Sequence, residues 1–302
     1  MCVLAFAFDP RPRTGDGAVL KIISNRDEFL GRPTQAAHWW PERSSDDGSS
    51  SPESTTEATP ETRPTFGRSA WVLGGRDLRA GGSWLAMNRA GRVAILTNYR
   101  DPSNETTSAK SRGELVDQWV GRGNASVAAE ELAKRLASSG HDYVGFNLLL
   151  FDCAPGAEAR GWVISNRASN ILSEIAPGIH GLSNEILNSP WPKTLVLKNS
   201  LEATKAFTNQ RFVAESLRVL GHARPAPDAE LPSTGIPLER ERYLSSVFIQ
   251  PPNLEDAAAY GTRCSAILRI GPSNAEFLER SYYPQLSERR FSFNLSSVSR
   301  GL

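Results

Sequence analysis

The chain opens "MCVLAFAF", a cysteine followed at once by an apolar and aromatic run. Cysteine packs as a small hydrophobe, so Cys2 reads either as the first residue of a buried strand or as a nucleophile. The second reading requires removal of Met1, which frees the α-amine of Cys2. Such an amine has an ordinary pKa of ~7.7–8.0, so near neutrality part of it is unprotonated. It can take the thiol proton directly or through one water, and no separate histidine base is needed. That matters because His38, His141, His180 and His222 lie far apart, with neither a cysteine pair nor a zinc-ligand spacing beside them.

Other polar residues fall where apolar runs end. "ISNRDEFLGRP" sets Asn25, Arg26, Asp27 and Glu28 directly after an apolar strand, a pattern that on its own reads as a hairpin turn. "AILTNYR" finishes a strand at Asn98, "GLSNEILNSPWPK" finishes another at Asn184 before a helix, and "YGTRC" starts a strand with Arg263. Each alone is ordinary turn chemistry. Together with Cys2 they supply a nucleophile, a carboxylate, amide donors and cations. No G-x-S-x-G elbow, phosphate-binding P-loop or H-E-x-x-H motif is present. The glycine-rich "LGGRDLRAGGSW" lacks the dinucleotide-binding spacing and reads as a tight loop.

These residues need elements to position them. Short apolar or alternating runs, "CVLAFAF", "AVLKIIS", "WLAMN" and "RVAILTNY", predict strands. "SRGELVDQWV" and "SVAAEELAKRLASSG" predict helices, with a capping box from Ser111 to Glu114. Strands follow in "GFNLLLFD", "RGWVISN", "NILSEI" and "GIHGLSN". Helices return in "PWPKTLVLKNSLEATKAF", with Pro192 in the first turn, and in "NQRFVAESLRVLG". "RCSAILRIG", "AEFLERSYY" and "FSFNL" close the chain as strands. That order predicts an α+β protein of two antiparallel sheets covered by helix layers rather than a doubly wound parallel sheet. Ser44–Pro64 is almost free of apolar residues and is expected to be a disordered insertion inside a single 302-residue domain.

Composition bounds the partners. The 34 Lys and Arg residues balance 33 Asp and Glu, which argues against a general nucleic-acid binder. No apolar run approaches the ~20 residues that span a bilayer, and the N-terminus does not read as a secretory signal. Three widely spaced cysteines, Cys2, Cys153 and Cys264, fit a reducing compartment. The expectation is a cytoplasmic protein that is not secreted.

"MCVLAF", "SNRDEFLGRPT", "GGRDL" running into "GGSWLAMNRAGRVAILTNYRDP", "GLSN" with "PWPK", and "YGTRCSAIL" occur in one order along the chain. In that combination the sequence resembles the NRDE family, also called the transport and Golgi organisation protein two family. That family is similar to N-terminal-nucleophile hydrolases of the penicillin V acylase and bile salt hydrolase type. The resemblance implies a four-layer αββα sandwich with Cys2 as nucleophile and Asp27 as the hairpin carboxylate. It implies Asn98 and Asn184 as oxyanion donors. The arginine of the hydrolases' "RNLD" hairpin pattern has no counterpart at the same spacing in "SNRD", so Arg26 and Arg263 are both candidates for the cation.

The family name implies a role in secretory-pathway and Golgi organisation, with haem or acyl-lipid handling. On that reading the cavity behind Cys2 takes a small hydrophobic ligand and Cys2 is a candidate haem ligand. The cytoplasmic protein would then lie near Golgi, endoplasmic reticulum or mitochondria, meeting membranes through partners. The alternative is an amidohydrolase forming an acyl-thioester on Cys2, with an amide ligand and no cofactor required for hydrolysis. A third reading keeps the fold with an inert site.

Overall fold

A computed structural model describes residues 2–12, 17–40, 71–102, 110–121, 128–205 and 207–296. The expected insertion at Ser44–Pro64 lies outside them. The strands are β1 (Cys2–Phe8), β2 (Leu20–Phe29), β3 (Thr34–Trp40), β4 (Val72–Asp77), β5 (Leu85–Asn88), β6 (Arg92–Asn98), β7 (Phe146–Asp152), β8 (Arg160–Ser165), β9 (Leu172–Glu174), β10 (Gly178–Leu182), β11 (Tyr260–Ile270), β12 (Asn274–Ser281) and β13 (Ser287–Asn294). The helices are α1 (Gly113–Val120), α2 (Ala129–Ser139), α3 (Pro192–Ala203), α4 (Asn209–Leu220) and α5 (Leu238–Tyr243). One sheet runs β10-β1-β2-β11-β12-β13 and the other β3-β4-β5-β6-β7-β8-β9, with every paired strand antiparallel.

Alternation along the strands builds the layers, because successive side chains point to opposite faces. Leu4, Phe6 and Phe8 of β1, Leu20 and Ile22 of β2, Val93 and Ile95 of β6, and Leu149 and Phe151 of β7 share one core between the sheets. Ala94 and Leu96, with Leu148 and Leu150, face the other way and bury Leu115 and Trp119 of α1 and Leu132 and Leu136 of α2. Val3, Ala5 and Ile23 likewise bury Leu197 and Leu201 of α3 and Phe212 and Val219 of α4. The result is the expected four-layer αββα arrangement. Edge-on ring contacts between Phe6 and Phe151, centroids 5.3 Å apart, link the sheets at the centre.

Some local expectations change. β3 and β4 form strands where the sequence reading placed none, because pairing β3-β4-β5 satisfies their backbone groups in the second sheet. Helix α5 forms beyond the Pro-rich stretch. The Ser111–Glu114 capping box does not form: Arg112 holds the cap position without capping the helix through its side chain, and Glu114 instead accepts from the Tyr143 hydroxyl. Pro192 does open α3 as the sequence predicts. Gly82 allows the chain before β5 to touch the start of α1: a Cβ there would lie 2.4 Å from the Gly113 carbonyl carbon.

Candidate active site

Cys2 begins β1 and pairs in register with Arg26 of β2, while Val3 pairs with Asn25. Residues paired across antiparallel strands share a face. Cys2 and Arg26 therefore point between the sheets, and Asn25 points toward the α3–α4 layer. There the Asn25 amide donates to the carbonyls of Leu220 and Val247, each at 2.8 Å, and its oxygen accepts from Ser265 at 2.6 Å. Asn25 is thus a structural anchor, and the chemistry of this stretch rests on its three successors.

Cys2, Arg26, Asp27, Glu28 and Asn98 line one cavity of about 470 Å³. Continuing the β1–β2 register one step past the Cys2–Arg26 pair sets Asp27 level with the amino side of Cys2. Asp27 is 1% exposed, its Oδ1 accepts from the Thr262 hydroxyl at 2.6 Å, and its carbonyl accepts from the Tyr260 hydroxyl at 2.9 Å. Burial pushes the Asp27 carboxyl up, opposed by the charge of Lys193. Arg26 lies over the Trp84 ring at 4.0 Å, donates to Thr34 at 3.0 Å and sits 3.8 Å from Asp77. Asn98, half-buried at the end of β6, has no hydrogen-bond partner for its side chain among the described residues and faces the same space as Cys2.

Asn184 supports the site from behind. Its amide donates to the Asn98 carbonyl at 3.0 Å, and its own carbonyl accepts from the Arg100 backbone N–H at 2.8 Å. The neighbouring Ser183 hydroxyl donates to the Cys2 carbonyl at 3.1 Å and lies 3.1 Å from the Asn184 side-chain oxygen. Asn184 therefore ties together the strand ends that carry Cys2 and Asn98, and it is absent from the cavity wall. Arg263 is also absent from that wall: it donates to the carbonyls of Phe29 and Leu30 and lies 5.0 Å from the Tyr283 ring. Of the two candidate cations, Arg26 is the one in the cavity.

Burial pushes the Cys2 thiol up; the positive amino terminus and Arg26 pull it down, while Asp27 and Glu28 push it up. The thiol at rest is therefore protonated near neutrality, and attack requires a base that removes the proton as the new bond forms. Cys153 and Cys264 are raised as well, with burial the largest cause in each.

Sequence reasoning missed Lys193. It sits at the start of α3, 2% exposed, and donates to the Leu244 carbonyl at 2.9 Å. Burial brings its pKa down to about 8, against the attraction of Asp27. The signal was present in "PWPK": a cation in the first turn of a helix opposes the helix dipole, so a lysine there asks for a tertiary partner. Arg32, which follows Glu28 in the same polar stretch of sequence, joins the cavity wall; sequence reading missed Asp77 and Arg112, which come from distant segments. Asp77 Oδ2 lies 2.6 Å from Arg32 Nε. Among the described residues no group of three or more His, Cys, Asp or Glu side chains is arranged to hold a metal ion.

A family model described as transport and Golgi organisation 2 matches residues 1–48 and 58–284. The chain belongs to this transport and Golgi organisation 2 family. The Homo sapiens transport and Golgi organization protein 2 homolog is 30% identical over 318 residues, covering 98% of this chain and all 100% of that protein. The Mus musculus homolog is 28% identical over 310 residues with the same coverage of both chains, and the Drosophila melanogaster protein is 26% identical over 297 residues, 93% of this chain and 92% of its own. Among solved structures, a mutant of the conjugated bile acid hydrolase from Clostridium perfringens superposes with a TM-score of 0.43 at 12% identity, covering 97% of this chain and 96% of that one. The αββα assignment rests on the strand order and the three apolar clusters described above. The family match skips residues 49–57, inside the Ser44–Pro64 stretch, so every residue named at the site lies within matched segments.

Proposed function

We propose that this member of the transport and Golgi organisation 2 family is a cysteine hydrolase that cleaves a C–N bond of an amide through a thioester on Cys2. The observation that carries the reading is the β1–β2 register: it sets Asp27 beside the amino side of Cys2, while the Asn98 amide, without a hydrogen-bond partner among the described residues, faces the same cavity. With Met1 removed, the Cys2 amine takes the thiol proton as sulfur attacks the carbonyl carbon. Asp27 holds the resulting ammonium in place. Asn98 donates to the oxyanion of the tetrahedral intermediate, and Arg26 adds positive charge to that end of the cavity. The C–N bond then breaks and the ammonium proton passes to the departing amine. Water next adds to the thioester carbonyl; the C–S bond breaks, releasing a carboxylic acid and restoring the thiol. On this reading hydrolysis requires no cofactor.

The test is peptide mass spectrometry of protein purified from its own cells and incubated with a panel of acyl amides. We expect Met1 to be absent and the acyl mass to appear on the Cys2 peptide. We expect Cys2→Ser to lose adduct and turnover while Cys153→Ala keeps both. Retained Met1, or turnover unchanged in Cys2→Ser, would overturn the reading.

The second reading is the handling of haem or acyl lipid in secretory-pathway and Golgi organisation. Its support is the same cavity, where a thiol and several arginines face one space and would receive a carboxylate-bearing ligand. The walls serve an acyl group better than a haem. Among the described residues, only Ala80, Trp84, Leu96 and Val144 offer apolar side chains to the wall, too few to sandwich a porphyrin face. No helix among the described residues is long and apolar enough to cross a membrane, so on this reading contact with a membrane would come through a partner protein.

A further inference from the structure

Among the described residues, the cavity beside Cys2 carries more positive charge than its own carboxylates balance. Arg26, Arg32, Arg79, Lys110 and Arg112 line it against Asp27, Glu28 and Asp77. Asp77 is already shared, 2.6 Å from Arg32 and 3.8 Å from Arg26, and Glu28 lies 3.8 Å from Arg32. Asp27 answers to Thr262 and the charge of Lys193. Lys110 turns to Asp142 at 2.8 Å, outside the cavity. Arg79 and Arg112 are left without an ion pair among the described residues.

Arg112 is the more informative of the two. It is half-buried, and its guanidinium donates to the Gly145 carbonyl at 3.0 Å, a neutral partner. A cation withdrawn from water without a direct ion pair is costly, and the Glu28 charge that acts on Arg112 is shared with Arg32. Here the fold holds it in place, since the close approach of Gly82 to Gly113 and the bond from Ser83 N–H to the Gly113 carbonyl at 3.4 Å fix the start of α1 on the cavity. Arg79 stands exposed on the rim of the same space. A guanidinium presents paired donors that match carboxylate and phosphate oxygens. The volume of about 470 Å³ suits a small molecule.

We propose that Arg112 and Arg79 form an anion-receiving subsite of the Cys2 cavity, so that the acyl compound it takes carries a carboxylate or phosphate group away from the bond at Cys2. The proposal rests on Cys2 lining the ligand cavity and not on turnover. The apolar walls Trp84, Leu96 and Val144 take the intervening carbon chain. The guanidinium pair sets which end of the molecule enters last.

The test uses protection of Cys2 from iodoacetamide by three probes of equal chain length: octanoate, octyl phosphate and neutral octanamide, at constant ionic strength. Labelling of the Cys2 peptide is followed by mass spectrometry. We expect at least one anionic probe to protect at about tenfold lower concentration than octanamide, the scale of a charge-assisted hydrogen bond. Octanoate acting first identifies a carboxylate ligand, and octyl phosphate acting first a phosphate ligand. Arg112→Gln should remove most of that preference, Arg112→Lys should restore part of it, and Arg79→Gln, on an exposed side chain that cannot unfold the protein, should reduce it. Equal protection by octanamide, or a preference unchanged in both Gln variants, overturns the proposal. Because the readout is labelling, loss of the hydrolase reading would leave an anion preference visible, and loss of the anion preference would leave turnover untouched.

Discussion

The space between the two sheets has two unlike ends. At one, Phe8 and Phe6 of β1, Leu20 and Ile22 of β2, Val93 and Ile95 of β6, and Leu149 and Phe151 of β7 fill it with apolar side chains. At the other, the same faces of the same strands carry Cys2, then Ser24 and Arg26, then Thr97, then Asn147. In β6 and β7 the change falls at one level, between the Ile95–Leu149 and Thr97–Asn147 pairs, while β2 turns polar at Ser24, opposite Leu4, one same-face step before β1 does at Cys2. Asn147 bonds Thr97 at 3.2 Å and the Glu185 carbonyl at 2.8 Å, so the polar end is organised by hydrogen bonds where the apolar end is organised by packing. The lesson is that one periodicity serves two purposes. One end of each strand supplies the burial that holds the sheets together, and that stability permits charge to be held at the other end.

Breaking the apolar end should show the largest effect on stability. Phe151 is fully buried and touches Phe6 and Phe8 across the sheets at 5.3 and 5.6 Å. Phe151→Ala should cost ~3–5 kcal/mol of folding free energy, the range for a buried aromatic truncated in a core. Chemical denaturation reads it, and a loss below ~1 kcal/mol would show that the sheets are held chiefly elsewhere. Breaking the polar end should do the reverse. Asn98→Ala should leave the denaturation midpoint nearly unchanged while lowering kcat by ~10²–10³-fold, about 2.7–4 kcal/mol of transition-state stabilisation. A rate change of less than a few-fold would remove Asn98 from the oxyanion role.

Lys193 sharpens the comparison by pH. Its folded pKa, brought down by burial to about 8, lies below its ordinary value of 10.5. Between those values the unfolded chain binds a proton that the folded chain does not, so this group makes stability rise with pH across that window. Below about pH 8 both states hold the proton and the slope from Lys193 vanishes. Thermal melts of wild type and Lys193→Met from pH 7 to 10 should therefore diverge in slope, with the wild type gaining relative to the variant above pH 8. Parallel curves would show that Lys193 titrates normally. A smaller effect should come from Glu241 of α5. Its carboxylate pairs with Arg100 at 2.5 Å in a buried setting and accepts from the Thr234 N–H at 3.0 Å. Arg100 in turn holds Asn184. Glu241→Gln leaves the Arg100 guanidinium buried without its counter-charge, so it should lower the melting temperature as well as lowering kcat several-fold; an unchanged melting temperature would show that the pair contributes little.

Much of the fold was legible because local patterns carried it. β1, β2, β6 and β7 announce themselves by alternation, and α4 by its spaced Phe212, Val219 and Leu220. The errors fell where local and tertiary demands differ. The capping box failed because Glu114 is taken by Tyr143, 29 residues away. β3 and β4 were hidden because glycines and half-exposed residues dilute their pattern: Gly74 and Gly75 occupy the middle of β4, where a Cβ at Gly75 would overlap the Trp84 ring. At the site, Cys2, Arg26, Asp27 and Asn98 converge on the cavity. Asn184 lies behind it, and Arg263 caps backbone carbonyls at its own bulge.

By itself the sequence determined the chemical inventory and the layer order, since a thiol at position 2, amides at strand ends and the alternation of apolar residues are properties of neighbours in the chain. Only the tertiary structure decided which charges meet. Arg112 comes to the cavity through helix α1, Lys193 comes under Asp27 through α3, and Arg26 turns inward while Asn25 turns out. Those meetings depend on pairing register and on contacts between segments more than 80 residues apart in Lys193 and Arg112 alike, and electrostatic energy depends on distance through space, which sequence separation does not report.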